Sequence, residues 1–418
     1  MCSQPLTPMT QHTIIESEPS MLRSFSDHYA AIINLATKTT PITTLQTTQS
    51  LGHTLAANAH AKIAVPPFNN SAMDGFLVYA NDCQGTGPWT FPVSGDVPAG
   101  AEVATVPSGG ALRIMTGAPV PEHAGLAVVP VEHTDIPRGP NPLPNTVTIF
   151  TAPKAGDHIR TRGEDTHVGE LTTPRGTRID AATMASLIST GNTEIPIHRP
   201  VRVAILATGD ELERQIPNSN SPMLAALCET HGAEVEILPT SGDNAAEFRA
   251  TIDAAHNVDL ILTTGGISAG AFDIVKEVLA DDVWFSGVAV QPGKPQGAGT
   301  INGIPILCLP GNPVSVFVSF HLFALPLIQA LSGQTPLPFH QRPQLTAIAD
   351  CEFRANGKRD RFIPAIVSYN PEPHVRSSHR NGLGSHFVAS LAGVNGLVYV
   401  EHATDNISIG QPVRVLLV

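Results

Sequence analysis

The chain has few of the residues that small structural and metal-binding motifs require. Its five cysteines, Cys2, Cys83, Cys228, Cys308 and Cys351, stand singly with no CxxC pair. Neither a disulfide framework nor a structural zinc site is expected, and the compartment should be reducing. Seventeen histidines are present, but no HExxH or comparable spacing, which leaves them as surface or core residues. There is no GxGxxG dinucleotide fingerprint and no GxxxxGK[ST] phosphate loop. Positive charge is scarce: 24 Lys and Arg stand against 36 Asp and Glu, for a formal net charge of -12, and only six residues are lysine. Non-specific nucleic-acid binding needs a basic surface, so no nucleic-acid partner is expected. Residues 1–20 are polar and Pro/Thr-rich, without a basic n-region or an apolar h-region. They read as a loose, disordered tail rather than a signal peptide. The longest apolar stretch, 314–331, is interrupted by Ser315, Ser319, His321 and Pro326, which favours a buried helix over a membrane span. A soluble, cytoplasmic protein with no membrane partner is expected.

What is present is enough chain for two to four domains, at about 100 to 200 residues each, and one segment that organises the rest. From 201 to 330 the pattern is of buried strands, each ending in a polar or Gly-rich loop. The run 201–207 is too continuously apolar for a half-exposed strand and stops at Thr208-Gly209-Asp210-Glu211. A helix follows, with Ser221 as its expected cap, Pro222 in its first turn and Gly232 at its end. Strands are expected at 233–238, 258–262, 283–290 and 304–309, and helices at 244–256 and 271–279. Alternating strands and helices argue for a doubly wound α/β domain, whose ligands sit beyond the carboxyl ends of the strands. The loops at 208–211, 263–270, 291–295 and 310–315 should therefore open onto one rim. Any one of them alone is an ordinary turn. Together they offer carboxylates at Asp210, Glu211 and Asp273, a cation at Lys294, and many glycine-freed amides. That combination suits a phosphate or oxyanion beside a divalent metal.

Thr208-Gly209-Asp210-Glu211-Leu212, Thr264-Gly265-Gly266-Ile267-Ser268-Ala269-Gly270 with Asp273, Pro292-Gly293-Lys294-Pro295 and Leu309-Pro310-Gly311-Asn312-Pro313-Val314-Ser315 resemble the molybdopterin molybdenumtransferases, the family of MoeA and of the E domain of gephyrin. The resemblance extends to both flanks. Phe68-Asn69-Asn70-Ser71-Ala72-Met73-Asp74-Gly75-Phe76, which read alone is a turn, is similar to a family signature, with Asn69 in place of its first Asp. Ile114-Met115-Thr116-Gly117-Ala118-Pro119-Val120-Pro121, Gly163-Glu164-Asp165, Gly357-Lys358-Arg359-Asp360-Arg361-Phe362 and Gly384-Ser385-His386-Phe387 match in kind and order. Short β-like runs at 76–79, 89–93, 111–115, 126–131 and 146–151 describe a small β-domain. Further runs at 345–349, 362–368, 396–400 and 413–418 describe a small β-barrel. A first helix is expected from Ser26-Asp27-His28 to about residue 38, and a later one from Asp180 to Ile188. The expected fold is multidomain α/β: a discontinuous α+β domain (21–67 and 156–198), an inserted small β-domain (68–155), a central doubly wound, MogA-like α/β domain (199–335) and a C-terminal β-barrel (336–418).

The resemblance implies a molybdenum insertase that takes adenylylated molybdopterin and molybdate and releases molybdenum cofactor and AMP. It implies Mg²⁺ held by Asp210, Glu211 and Asp273, and molybdate held by Lys294, Arg359, Ser315 and Ser385, with Arg361 as the alternative to Arg359. Gly265, Gly266, Ser268 and Asn312 join these as substrate-binding residues. Asp74, Thr116, Glu211 and Asp273 are implied as catalytic, the first two from the neighbouring subunit of a homodimer. A molybdopterin adenylyltransferase is a further expected partner. Three positions depart from the pattern: Gln291 and Thr300 where the family has Lys, and Asn218 where it has Asp. A charged hydrogen bond contributes about 1.5 to 3 kcal/mol, so two missing cations bear on oxyanion affinity. The alternative reading is therefore a diverged paralogue that binds pterin or nucleotide, or acts as a scaffold, without inserting metal.

Overall fold

Val203 to Ala207 are all buried, and a strand covered on both faces belongs inside a sheet. In the structure, a computed structural model that describes residues 22–418 except 210, 213–214, 242–243, 269–272 and 380–383, the strand Arg202–Ala207 takes that place. It runs parallel to Glu234–Ile237 on one side and to Leu260–Thr264 on the other, and the latter runs parallel to Ile304–Leu309. Val203 and Ile205 face one apolar cluster, and Ala204 and Leu206 the other. The helices Asn220–Thr230, Ala245–Asp253 and Ile274–Leu279 alternate with these strands, so the doubly wound α/β core is present.

Two antiparallel strands, Pro295–Ile301 and Val283–Gly287, extend the sheet to six. The first went unread because proline and glycine argue against a strand interior. Here tight packing demands the glycines. A Cβ on Gly297 would lie 2.5 Å from the Phe285 ring, and one on Gly299 would lie 2.2 Å from the Asp282 carbonyl oxygen. The apolar stretch Pro313–Leu331 is helical throughout and 83% buried, in keeping with a core helix.

The first helix is Phe25–Ile33, shorter than expected and started about two residues earlier, because the Ser24 hydroxyl accepts the Asp27 N–H at 3.0 Å. Its Phe25 ring packs on Phe323, Phe339 and Phe362, with centroids 5.7, 5.5 and 5.5 Å away. That aromatic contact places 22–41 in one compact unit with 198–418, whereas 42–197 form a second. The sequence reading had grouped residue 25 with 42–67. In the first unit the C-terminal strands close into a five-stranded barrel: Asp360–Tyr369 pairs with both Pro373–Ser377 and Gly396–Val400, and Gln344–Ala349 and Pro412–Leu417 complete the ring. Pro373–Ser377 is a strand that the sequence reading missed.

In the second unit all five strands read from the small β-domain form one sheet, in the order Leu126–Pro130, Gly75–Tyr79, Ala111–Ile114, Trp89–Val97, Thr146–Ile149. The helix Ala181–Ser189 starts where Asp180 accepts the Thr183 N–H at 2.8 Å.

Two imidazoles lie inside the first unit. His28 is 0% exposed, stands edge-on to Trp284 and Phe323, and has no partner for either ring nitrogen. Burial, helped by Arg23, lowers its pKa to about 3. Burial, with His231 and Arg342, does the same to His321. The folded chain thus binds fewer protons than the unfolded one. These sites favour folding fully above pH 6.5, and that contribution is lost as pH falls from 6.5 towards 3. One such histidine costs roughly 1.4 kcal/mol per pH unit over that window. His28→Leu is expected to shrink the drop in melting temperature between pH 7 and pH 5. An equal drop in both proteins would show that His28 is protonated in the fold.

Candidate active site

The carboxyl ends of the parallel strands meet in a cavity of about 1230 Å³. Three loops build its floor, and glycine makes their approach possible. Gly265 has φ +93°, and a Cβ there would lie 2.6 Å from the Thr208 carbonyl oxygen. Gly266, at φ +63°, leaves room for the Val275 side chain. A Cβ on Gly311 would lie 3.3 Å from the Gly265 α-carbon. The Asn220 amide donates to the Gly311 carbonyl at 2.7 Å and pins the third loop to the helix Asn220–Thr230.

One wall is acidic. Glu211 lies on it, its carboxylate folded back over Gly209, where a Cβ would stand 2.5 Å away. Asp273 lies there too, just ahead of the helix Ile274–Leu279, and its side chain does not cap that helix. Its carboxylate instead takes the Lys276 ammonium at 3.0 Å and the Ser268 hydroxyl at 3.3 Å, and the same ammonium donates to the Ser268 carbonyl. Lys276 is a site residue that the sequence reading missed. Its signal was the i,i+3 spacing from Asp273, which sets two side chains on one helix face. Asp210 lies outside the described residues.

The cavity is also lined by neutral and basic residues: Asn312, Ser315, Ser385, His386, Arg359 and Gln291. Among the described residues Arg359 is the one Lys or Arg on the cavity wall. Lys294, the cation expected from the third loop, is not on it. The stem of Lys294 packs against Gly287 and its side chain is exposed, and its carbonyl accepts the Val288 N–H at 2.7 Å. Thr300 is exposed on Pro295–Ile301 and is not on the wall either. Gln291 is on it, and its side-chain oxygen accepts the Asn356 amide of the barrel.

Asp74 and Thr116 lie in the other unit. There they line a separate cavity of about 680 Å³ with Met73, Arg113 and Arg138. Asp74 accepts both the N–H and the hydroxyl of Thr116, at 2.7 and 2.9 Å. Arg113 is committed to structure, forming a forked pair with Asp96 and holding the Asn141 carbonyl at 2.8 Å. Asp96 is kept below the usual carboxylate range chiefly by that Arg113 hydrogen bond.

The donors on the acidic wall are hard oxygens, the chemistry that Mg²⁺ takes while keeping several waters. No group of three or more His, Cys, Asp or Glu gathers among the described residues. The described residues therefore form no closed protein cage, and Glu211 and Asp273 are the carboxylates among them that line the cavity.

Family models match nearly the whole chain: the MoeA N-terminal region (domain I and II) over 23–191, a probable molybdopterin binding domain over 204–330, and the MoeA C-terminal region (domain IV) over 346–418. The molybdopterin molybdenumtransferase 2 of Mycobacterium tuberculosis is 36% identical over 423 residues, covering 94% of this chain and 99% of that one. The molybdopterin molybdenumtransferase of Haemophilus influenzae is 33% identical over 365 residues, covering 84% and 88%. A solved molybdopterin biosynthesis moeA protein from Pyrococcus horikoshii OT3 superposes with a TM-score of 0.79 at 23% identity, covering 95% of this chain and all of that one, and shares the fold.

Asn218 replaces an expected carboxylate, and the structure gives it a local task. Its side-chain oxygen accepts the Ser221 N–H at 3.2 Å and its amide donates to the Ser221 hydroxyl at 3.1 Å. It does the capping that had been assigned to Ser221, which lies inside the helix. Asn218→Ala is expected to cost about 1 kcal/mol and Asn218→Asp almost nothing, since either side chain of the Asn/Asp pair can cap. Urea unfolding of the three proteins checks this, and equal losses in both variants would contradict it.

Proposed function

Because the chain belongs to the molybdopterin molybdenumtransferase family, and is thus a transferase that inserts molybdenum in molybdenum-cofactor biosynthesis, we propose that its substrates are adenylylated molybdopterin and molybdate and its products molybdenum cofactor and AMP. The observation that carries the reading is one cavity lined both by the carboxylates Glu211 and Asp273 and by Arg359, Ser315 and Ser385, which can donate hydrogen bonds to an anion. The acidic wall holds Mg²⁺ through Glu211 and Asp273, with Asp210 as a third ligand. When bound, that ion neutralises charge developing on the adenylyl phosphate. Lys276 fixes the Asp273 carboxylate in place, Gly265, Gly266, Ser268 and Asn312 shape the bed for the pterin nucleotide, and Arg359, Ser315 and Ser385 bind molybdate. Lys294 does not line the cavity itself, although its neighbours Gly293 and Pro295 do. The acidic composition and the unpaired cysteines support a cytoplasmic location, with a molybdopterin adenylyltransferase as supplier of the nucleotide.

The same reading makes the protein a homodimer, in which the partner subunit's Asp74 and the partner subunit's Thr116 face the cavity. Two carboxylate-bearing cavities on separate units, each with part of the expected site, support it. Light scattering at micromolar concentration is expected to give twice the mass of 44.0 kDa. A purely monomeric protein would remove Asp74 and Thr116 from the site.

Asp273→Asn tests the chemistry. The pair with Lys276 is partly solvated, so its loss should change stability by no more than about 1 kcal/mol. AMP release from adenylylated molybdopterin with Mg²⁺ and molybdate should fall by two orders of magnitude or more, roughly the effect of removing one charge-stabilising group. Release at the normal rate would take Asp273 out of the mechanism. No release even from the unchanged protein would favour the binding paralogue.

A further inference from the structure

Gln291 is neutral and Lys294 does not line the cavity, so among the described residues Arg359 is the one Lys or Arg on its wall. A second arginine follows two residues later, inside the barrel strand Asp360–Tyr369. Arg361 is the parallel register partner of Gln291, which lines the cavity, so the two side chains share one face of the sheet. Asp360, between the two arginines, turns to the other face, where it accepts the N–H of His402 at 2.9 Å and meets its ring at 2.7 Å.

Among the described residues Arg361 has no counter-charge. Its Nη1 donates to the Arg354 carbonyl, its Nε is buried with no partner, and among the described residues neither Arg359 nor Arg361 forms an ion pair. Arg354 reaches Glu352 at 3.2 Å on the exposed side. Burial, followed by the charges of Arg359 and Arg354, pushes the Arg361 pKa below the usual arginine range. A half-buried guanidinium crowded by two others and facing no carboxylate is an arrangement that a bound dianion would relieve, and a guanidinium fork matches a tetrahedral oxyanion.

We infer that Arg361 is a second oxyanion-binding residue of this site, acting with Arg359 beside Gln291 on a tetrahedral dianion of the molybdate class. This rests on the reading that the cavity takes molybdate. It moves the second positive charge of the subsite from the Pro292-Gly293-Lys294-Pro295 loop onto the neighbouring barrel strand. Gln291 then serves to tether the Asn356 loop, from which the strand begins, rather than to carry charge.

The test is calorimetric titration with molybdate on the unchanged chain, Arg361→Met, Arg361→Gln and the double variant Arg361→Met/Gln291→Lys, with thermal melting of each. Both single variants are expected to bind molybdate at least tenfold more weakly and to lose most of the molybdate-induced rise in melting temperature. The double variant is expected to recover part of the affinity, because its new ammonium arises at the register position next to the lost guanidinium. A residue that only clamped the Arg354 loop would lower melting temperatures and leave affinity alone. If a folded Met or Gln variant binds as tightly as the unchanged chain, Arg361 is no part of the subsite and the inference is overturned. Absence of molybdate binding in the unchanged chain would overturn the molybdenum reading itself, and this inference with it.

Discussion

The close approach of three backbone segments at the ends of the parallel strands is the constraint from which the site follows. Thr208, Gly265 and Gly311 come near enough that one methyl group on either glycine would meet backbone atoms. Only glycine allows that approach, and the positive φ of Gly265 also takes it outside the range that side-chain-bearing residues readily adopt. Because the loops touch at their bases, their tips spread around one cavity instead of closing over the sheet. The residues after each glycine, Ser268 and Asn312 among them, are thereby aimed at a common volume.

The electrostatics of that volume are uneven, and the unevenness is economical in a chain with six lysines. Glu211 and Asp273 set one wall negative, and Lys276 holds Asp273 without cancelling its oxygen facing Ser268. Among the described residues, the Lys or Arg on the cavity lining comes from the barrel, at Arg359. The barrel strand Asp360–Tyr369 pairs with Val290–Gln291 on the rim, and the Val314 N–H bonds the Ser385 carbonyl at 3.1 Å. Shared apolar packing of Phe362, Leu397, Tyr399 and Leu416 with the central core fixes this geometry. The barrel is thus part of the cavity lining as well as a terminal domain, through Arg359, Ser385 and His386.

Much of this was legible in the residues. The run 201–207 announced a strand buried on both sides, the five short runs between 76 and 151 became one sheet, and Asp180 capped its helix. These features were readable because they depend on local hydrophobic period and on single capping groups. The strands Pro295–Ile301 and Pro373–Ser377 were not readable. Glycine, proline and charge there obey the demands of neighbours far along the chain, such as Phe285 against Gly297. The first helix starts about two residues earlier than its sequence suggests because Ser24 and Ser26 offer the same cap chemistry, and which one serves is settled by where Phe25 packs.

By itself the sequence determined the order of the elements, the glycine loops and the identity of the residues that can bind an oxyanion or a hard cation. Only the tertiary structure decided which of them share a cavity. It left Lys294 off the cavity wall, gave Asn218 to a helix start, brought Lys276 onto Asp273 and paired Arg361 in register with Gln291. The physical reason is that charge and hydrogen-bonding capacity are properties of a residue, whereas the direction in which they are spent is fixed by strand register and packing between segments distant in sequence.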